Sequence, residues 1–292
     1  MMKIEQLFSK KSLLNGGVFL WWVLGFSVSA QSPLEPSSAP RDGERLDFLV
    51  TYEWGPFYLA VGDASFTTVQ LHYGDVRLWS FEGWGASKKH WNWFYPVQSI
   101  YASLANDDFI PLHFQRKGRE GSHRYDRWYD FGSSSQISWT SQDAELPSGS
   151  APLPSGSNVF DLMTAVHWCR HLPWDSLTPG ETVSMRLILD GDIHPTSVKF
   201  EGLTNWTDPK TLQVHRCWAF QPTLIDGTVF KEGDHMRVLV SADERRIPLY
   251  IETELVIGSA KIYLTRNQML ETGAMKSFRD STERQRNTFM RE

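Results

Sequence analysis

Cysteine is scarce in this 292-residue chain, with only Cys169 and Cys217 present. A disulfide-stapled scaffold needs several spaced pairs, so a packed core must hold this fold. A dominant sign of charge is also missing. The formal net charge is −5, from 29 basic and 34 acidic residues, and no basic stripe stands out, so nucleic acid is not an expected partner. There is no G-x-S-x-G elbow, no phosphate-binding G-x-x-x-x-G-K-[ST] loop and no dinucleotide fingerprint. These absences remove the commonest hydrolase, nucleotide-binding and dehydrogenase readings, and no cofactor is expected. No repeat of fixed period argues for a solenoid or propeller. The one long apolar run, Leu13 to Phe26, falls short of the ~20 residues that span a bilayer.

That run has another reading. Lys3, Lys10 and Lys11 form a positive region before it, and Val28-Ser29-Ala30 follows it as a site of small residues. The pattern predicts a signal peptide over residues 1–30, cut before Gln31, and an exported, periplasmic, soluble product. Neither cysteine lies near that site, so no lipid is expected at the new N-terminus. Without residues 1–30 the formal charge is −7. Residues 31–45, rich in Ser, Pro and charge, read as a disordered leader. A domain over 46–267 follows, and residues 268–292 read as a charged tail or surface helix.

Within the domain, apolar residues mostly alternate. Leu46, Phe48, Val50 and Tyr52 make a half-buried strand. Turns at Gly55-Pro56 and Gly74-Asp75 lead into strands over 57–73 and 76–86. Lys89 to Leu104 loses the alternation and contains Pro96, which predicts a loop and a short helix from Val97 to Leu104. Strands return over 110–131, with a hairpin turn at 118–122, and over 137–141. Asp143 to Ser157 reads as a polar loop. Asn158 to Leu172 predicts the central helix, with Asn158 as N-cap and an apolar stripe of Val159, Leu162, Met163, Val166 and Cys169. Pro173 stops it. Further strands are expected over 182–190, 194–202 and 212–221, then a long hairpin from Val229 to Leu264 that closes one edge of the sheet. The fold class is mainly β: an antiparallel curled sheet forming a barrel or half-barrel, with one central α-helix and a short second helix.

Several local sequences carry a family resemblance. They are Leu49-Val50-Thr51-Tyr52-Glu53-Trp54 followed by Gly62-Asp63-Ala64; Phe94-Tyr95-Pro96-Val97 with Ser99; Phe160-Asp161; Val229-Phe230-Lys231-Glu232-Gly233; and Ser241-Ala242-Asp243 with Arg246-Ile247-Pro248-Leu249, then Ile257-Gly258-Ser259. In this order they resemble DUF3108, a family of exported bacterial proteins of unknown function. The resemblance implies a β-rich curled sheet around a central helix. It implies no catalytic residues.

Candidate site residues come from composition. Thirteen tryptophans are present, two of them in the signal peptide, and aromatics cluster in the stretch before Tyr101. Trp91, Trp93, Tyr95 and Tyr101 are expected to line or gate a cavity, with Arg116 or Arg124 at its polar end, paired across a hairpin. The expected ligand is a lipid, glycolipid or other amphipathic envelope molecule, with peripheral envelope association. A structural or protein-interaction role in the envelope is the alternative, and an enzyme acting on envelope glycans or lipids comes third. His167 and His171, one helical turn apart, have metal-ligand spacing, but Trp168 stands where a hydrolytic H-E-x-x-H has Glu, so no metal site is assigned. Asp243 reads as a turn residue, Asp161 as a helix-start residue, and the two cysteines either as a bridge or as buried thiols.

Overall fold

The computed structural model describes residues 36–280, except 37, 94, 133–134, 144, 155–157, 224–235, 256–257, 272 and 279. The expected signal peptide, most of the expected leader, residues 229–235 of the long hairpin and the last twelve residues lie outside the described residues.

The chain builds one fifteen-stranded sheet. Its first arm is β1 (Glu44–Trp54), β2 (Phe57–Tyr73), β3 (Val76–Ser87), β4 (Val97–Ala105), β5 (Pro111–Glu120), β6 (His123–Asp130), β7 (Gln136–Ser141) and β8 (Gly149–Pro152). The second arm is β9 (Val159–Phe160), β10 (Thr182–Leu189), β11 (Asp192–Thr207), β12 (Val214–Pro222), β13 (Met236–Ser241), β14 (Pro248–Glu254) and β15 (Ser259–Met269). One helix, α1 (Leu162–His171), lies between β9 and β10. The strand order runs from β8 down to β1, then β15 down to β9. The chain therefore starts at the middle of the sheet, walks out to one edge at β8, passes to the other edge at β9, and after α1 walks back. Every pairing is antiparallel except the two-residue β9–β10 contact.

The main core holds residues of β3 to β7, of β10 to β13 and of α1 together. A single sheet can bury both arms against one helix only by wrapping around it, so the expected curled, unclosed half-barrel is what forms. Trp174, fully buried, stacks on Phe220 with ring centroids 4.6 Å apart and on Phe200 at 5.3 Å.

Several local expectations change. The long hairpin does not close an edge: β14 and β15 lie mid-sheet, with β15 against β1. Pro248 opens an interior strand, where a first residue needs no ladder N–H. The expected helix over Val97–Leu104 is strand β4. Its alternation is hidden because both faces are covered: Ser103 lies on the helix side, while Leu104 packs with Val69, Leu71 and Leu78 on the outer face. The tail contributes there. Residues 273–278 are helical, and Leu270 and Phe278 pack on that outer cluster. Lys89–Trp91 forms a single 3-10 turn, and the loop expected over 143–157 contains edge strand β8.

The central helix begins later than expected. Asp161, not Asn158, is the N-cap; its side chain accepts from Met163 N and Thr164 N, and Thr164 completes a capping box. Val159 is in β9. The apolar stripe is replaced by burial on nearly every side, with Thr164, His167, Arg170 and His171 all enclosed. Gly83 makes this depth possible, because a Cβ there would lie 2.8 Å from Met163 Sδ.

Candidate functional site

The registers place alternate residues of β3 to β6 on the face that carries α1. Phe81, Ser103, Phe114 and Tyr129 form one row across these strands. The next row toward one rim is Gly83, Tyr101, Arg116 and Arg127. The core thus changes from apolar to cationic within one strand repeat. Arg116 and Arg127 sit directly opposite each other, an arrangement that costs energy unless a counter-charge is supplied.

The counter-charge comes from the other arm. Asp190, in the β10–β11 turn with φ 52°, accepts from Arg116 Nη1 at 2.6 Å and also from Arg127 Nη1. Arg127 also holds Asp143, with Nε 3.0 Å from Oδ2, and His123 lies 3.4 Å from the same carboxylate. Glu120 is 3.7 Å from Arg116. The Arg116 guanidinium centres 4.8 Å from the Tyr125 ring and 5.9 Å from that of Tyr101. Tyr125 bonds Ser99 at 2.9 Å and donates to Glu120 at 2.8 Å.

These surroundings set the proton affinities. Burial alone would weaken the charge on Arg116, but Tyr101, Asp190, Tyr125 and Glu120 outweigh it and raise its pKa. Burial pushes Asp143 up, yet the Glu145 amide and Arg127 win and hold it below the usual carboxylate range. Burial, with Asp190 adding to it, raises Tyr129 to about 12. At neutral pH the cluster is two fixed cations bound to carboxylates. The Asp190 side chain is 50% exposed whereas that of Arg127 is 7% exposed, so the bridging anion is the accessible member.

Of the residues picked from sequence, Tyr101 and Arg116 belong to this cluster. The expected pairing of Arg116 with Arg124 does not occur: Arg116 faces Arg127, and Arg124 faces Arg119. A β-hairpin turn over Glu120–His123, rather than 118–122, sets that register, and Arg124 lies exposed on the outer face. The other three residues sit on the adjoining rim. Trp91 Nε1 donates to Ala60 O at 3.1 Å, Tyr95 packs over Gly121, and Trp93 is 80% exposed. Arg127, Tyr125, Asp143 and Asp190 were not singled out. The alternation Tyr125, Arg127, Tyr129 signals one face, but nothing in the sequence shows that Asp190 meets it.

The rim projects further at the β1–β2 hairpin, where Trp54, Phe57 and Tyr58 are each more than half exposed. Trp54 and Phe57 stack at 6.0 Å. The β3–β4 connection and the β5–β6 hairpin, at the same end of the sheet, carry Lys89, His90, Arg119 and Arg124, all exposed.

The other polar group lies along α1. Asp161 is fully buried and accepts from Ser103 Oγ; burial, offset by its hydrogen bonds, raises its pKa to about 6. His167 stacks on Phe81 at 4.0 Å and His171 on Phe109 at 5.4 Å. His171 Nδ1 meets Ser38 Oγ at 2.7 Å. Burial, reinforced by Arg170, lowers both histidines well below their ordinary value. No group of three or more metal-ligating side chains occurs among the described residues. Arg170 pairs with Glu44 at 2.8 Å, both buried. Cys169 and Cys217 are free and buried.

The profile of the DUF3108 family, proteins of unknown function, matches residues 47–265. The chain belongs to this family. No curated protein matches it. Among solved structures it is similar to a beta-barrel-like protein of domain of unknown function DUF1849 from Brucella abortus, with a TM-score of 0.48 and 8% identity over 82% of this chain and 100% of that one.

Proposed function

We propose that this DUF3108 protein is an exported envelope protein that docks on a lipid surface by its aromatic rim and holds the anionic head of an amphipathic molecule at Arg116 and Arg127. The rim carries this reading. Trp54, Phe57, Tyr58 and Trp93 expose large ring surfaces at one end of the sheet, and tryptophan and tyrosine favour the boundary between water and lipid. Exposed Lys89, Arg119 and Arg124 make no ion pair among the described residues, which suits an anionic surface. Just beneath lies the arginine pair, whose bridging Asp190 occupies the place an incoming phosphate or carboxylate would take. The lysine-flanked apolar segment before Ala30 supports export.

The test is vesicle co-sedimentation of the mature chain. Binding to phosphatidylglycerol vesicles, weaker binding to phosphatidylcholine, and loss of both in a Trp54→Ser, Phe57→Ser, Trp93→Ser variant are expected. A wild-type protein that stays in the supernatant with both would overturn the reading. A protein partner is the second reading, favoured by α1, which occupies the space a barrel would offer to a ligand. It predicts no vesicle binding and a rim-dependent complex in cross-linking of the envelope fraction.

A further inference from the structure

At the end of the sheet away from the aromatic rim, Arg246 is placed in an unusual way. It lies in the β13–β14 turn with φ 49°, a left-handed backbone that a residue with a Cβ seldom adopts. The turn is held by Asp243, which accepts from Arg245 N at 3.1 Å and from Ser241 Oγ at 2.7 Å. The left-handed bend sends the Arg246 carbonyl to Arg170 Nε at 2.9 Å, which ties the turn to α1. The Arg246 side chain follows inward, and the residue is 8% exposed. Its guanidinium lies over the Trp218 ring at 5.6 Å.

A guanidinium so placed should be well supplied with acceptors, because a buried donor without one costs free energy. This one is not. Arg246 Nε and Nη1, together with Trp218 Nε1, are buried and have no hydrogen-bond partner among the described residues. Its charge partner is Asp175, 3.7 Å from Nη2 and on a side chain 65% exposed. Of the other carboxylates, Asp243 is engaged by Arg245, and Glu44 by Arg170 through Oε2, with its Oε1 buried and unpartnered among the described residues. The open positions at this spot are therefore donors on a rooted cation and an indole N–H, beside a solvent-facing carboxylate that is able to move.

We propose that Arg246 and Trp218 form a binding site for a small oxyanion, a carboxylate or phosphate group, which accepts hydrogen bonds from the guanidinium and the indole N–H. The guanidinium carries a full charge on a planar set of donors, the chemistry that matches such oxygens. The ring beneath keeps it in plane. Asp175 gates the site: an arriving anion takes its place, and the exposed carboxylate turns to water. The site is separate from the Arg116–Arg127 pair, which lies at the opposite end of the sheet.

The experiment uses the full mature chain, with inorganic phosphate and acetate as probes against chloride at matched ionic strength. Thermal unfolding and tryptophan fluorescence are both read. The wild type should show a saturable rise in Tm and a saturable fluorescence change with phosphate, acetate, or both. Which of the two acts more strongly identifies the head group. Arg246→Met should lose the part of both responses that survives in Arg116→Met, while unfolding no earlier than the wild type in chloride alone, since it removes a poorly paired buried charge. Trp218→Phe keeps the ring and drops one donor, so it should bind about tenfold more weakly, as loss of one hydrogen bond to a charged group implies. Arg116→Met should keep the part of the response that Arg246→Met removes, which separates this site from the rim reading. A wild type that answers phosphate and acetate no differently from chloride would overturn the proposal. So would an Arg246→Met protein with an unchanged response.

Discussion

Asp161 makes the sharpest test of how this core is wired. Its carboxyl is fully buried and its pKa is raised to about 6 from 3.8. A rise of that size is worth ~3 kcal/mol between the two protonation states. Because the folded value is above the unfolded one, the stabilising form is the protonated one. The contribution is complete below about pH 4 and is lost as the pH climbs through about 6. Asp161→Asn fixes the neutral state. Its Oδ1 still accepts from Met163 N and Thr164 N, and its amide can donate to Ser103 Oγ. The stability of the Asn variant minus that of the wild type should therefore grow by ~3 kcal/mol from pH 4 to pH 7.5. Urea unfolding followed by tryptophan fluorescence at four or five pH values measures it. Taking the difference cancels every other titrating group in the two proteins. Asp161→Ala, which loses both capped N–H groups, should be less stable than Asn at every pH, by about 1–2 kcal/mol. A gap between wild type and Asn that stays flat across this range would refute the reasoning, because it would mean that the carboxyl feels no net penalty from burial.

Other outcomes follow from the same contacts. His167 and His171 are held neutral, with depressed proton affinity, so they favour the fold above about pH 6.5 and that support is lost as the pH falls further; His167→Phe should flatten the acid limb of a stability–pH curve. Breaking the enclosed Glu44–Arg170 pair with Arg170→Ala should cost about 3–5 kcal/mol in denaturant unfolding, since it strands a buried carboxylate. A Cβ at Gly118 would lie 2.6 Å from Gln98 O and 2.7 Å from Tyr125 Oη; Gly118→Ala should cost about 1–3 kcal/mol and shift the tyrosine that packs on Arg116. Burial raises the Cys169 thiol to about 12 and Cys217 to about 11, so a thiol reagent at pH 8 should modify neither until the protein is unfolded.

The elements were legible where one face meets water. The alternation of β1, β2 and the β5–β6 hairpin follows directly from half-burial. It failed where both faces are covered. Strand β4 lies between α1 and the tail, so its pattern has no period of two. Helix α1 is surrounded, so its apolar stripe marks only part of what is buried, and the enclosed His167, Arg170 and His171 read like a surface or a metal motif. Asp161 was recognised as belonging to the helix start, but its role as N-cap depends on Ser103 and on Val159–Phe160 being drawn into a strand. Of the arginine–carboxylate cluster, only Tyr101 and Arg116 were picked out. Arg127 was missed because the hairpin register was taken two residues out at its start, and that register decides which arginine faces inward.

By itself the sequence determined the family, the β class, the central helix and the places of most turns, because these depend on neighbours a few residues apart. The tertiary structure decided what required two distant segments to meet. It put β1 beside β15, so the two ends of the domain form the middle of the sheet. It brought Asp190 across to Arg116 and Arg127, Glu44 to Arg170, and the carbonyl of Arg246 to the helix. Charge patterns along a chain do not specify such partners. A buried charge needs a counter-charge in space, and only the wrapping of the two arms around α1 determines which one it finds.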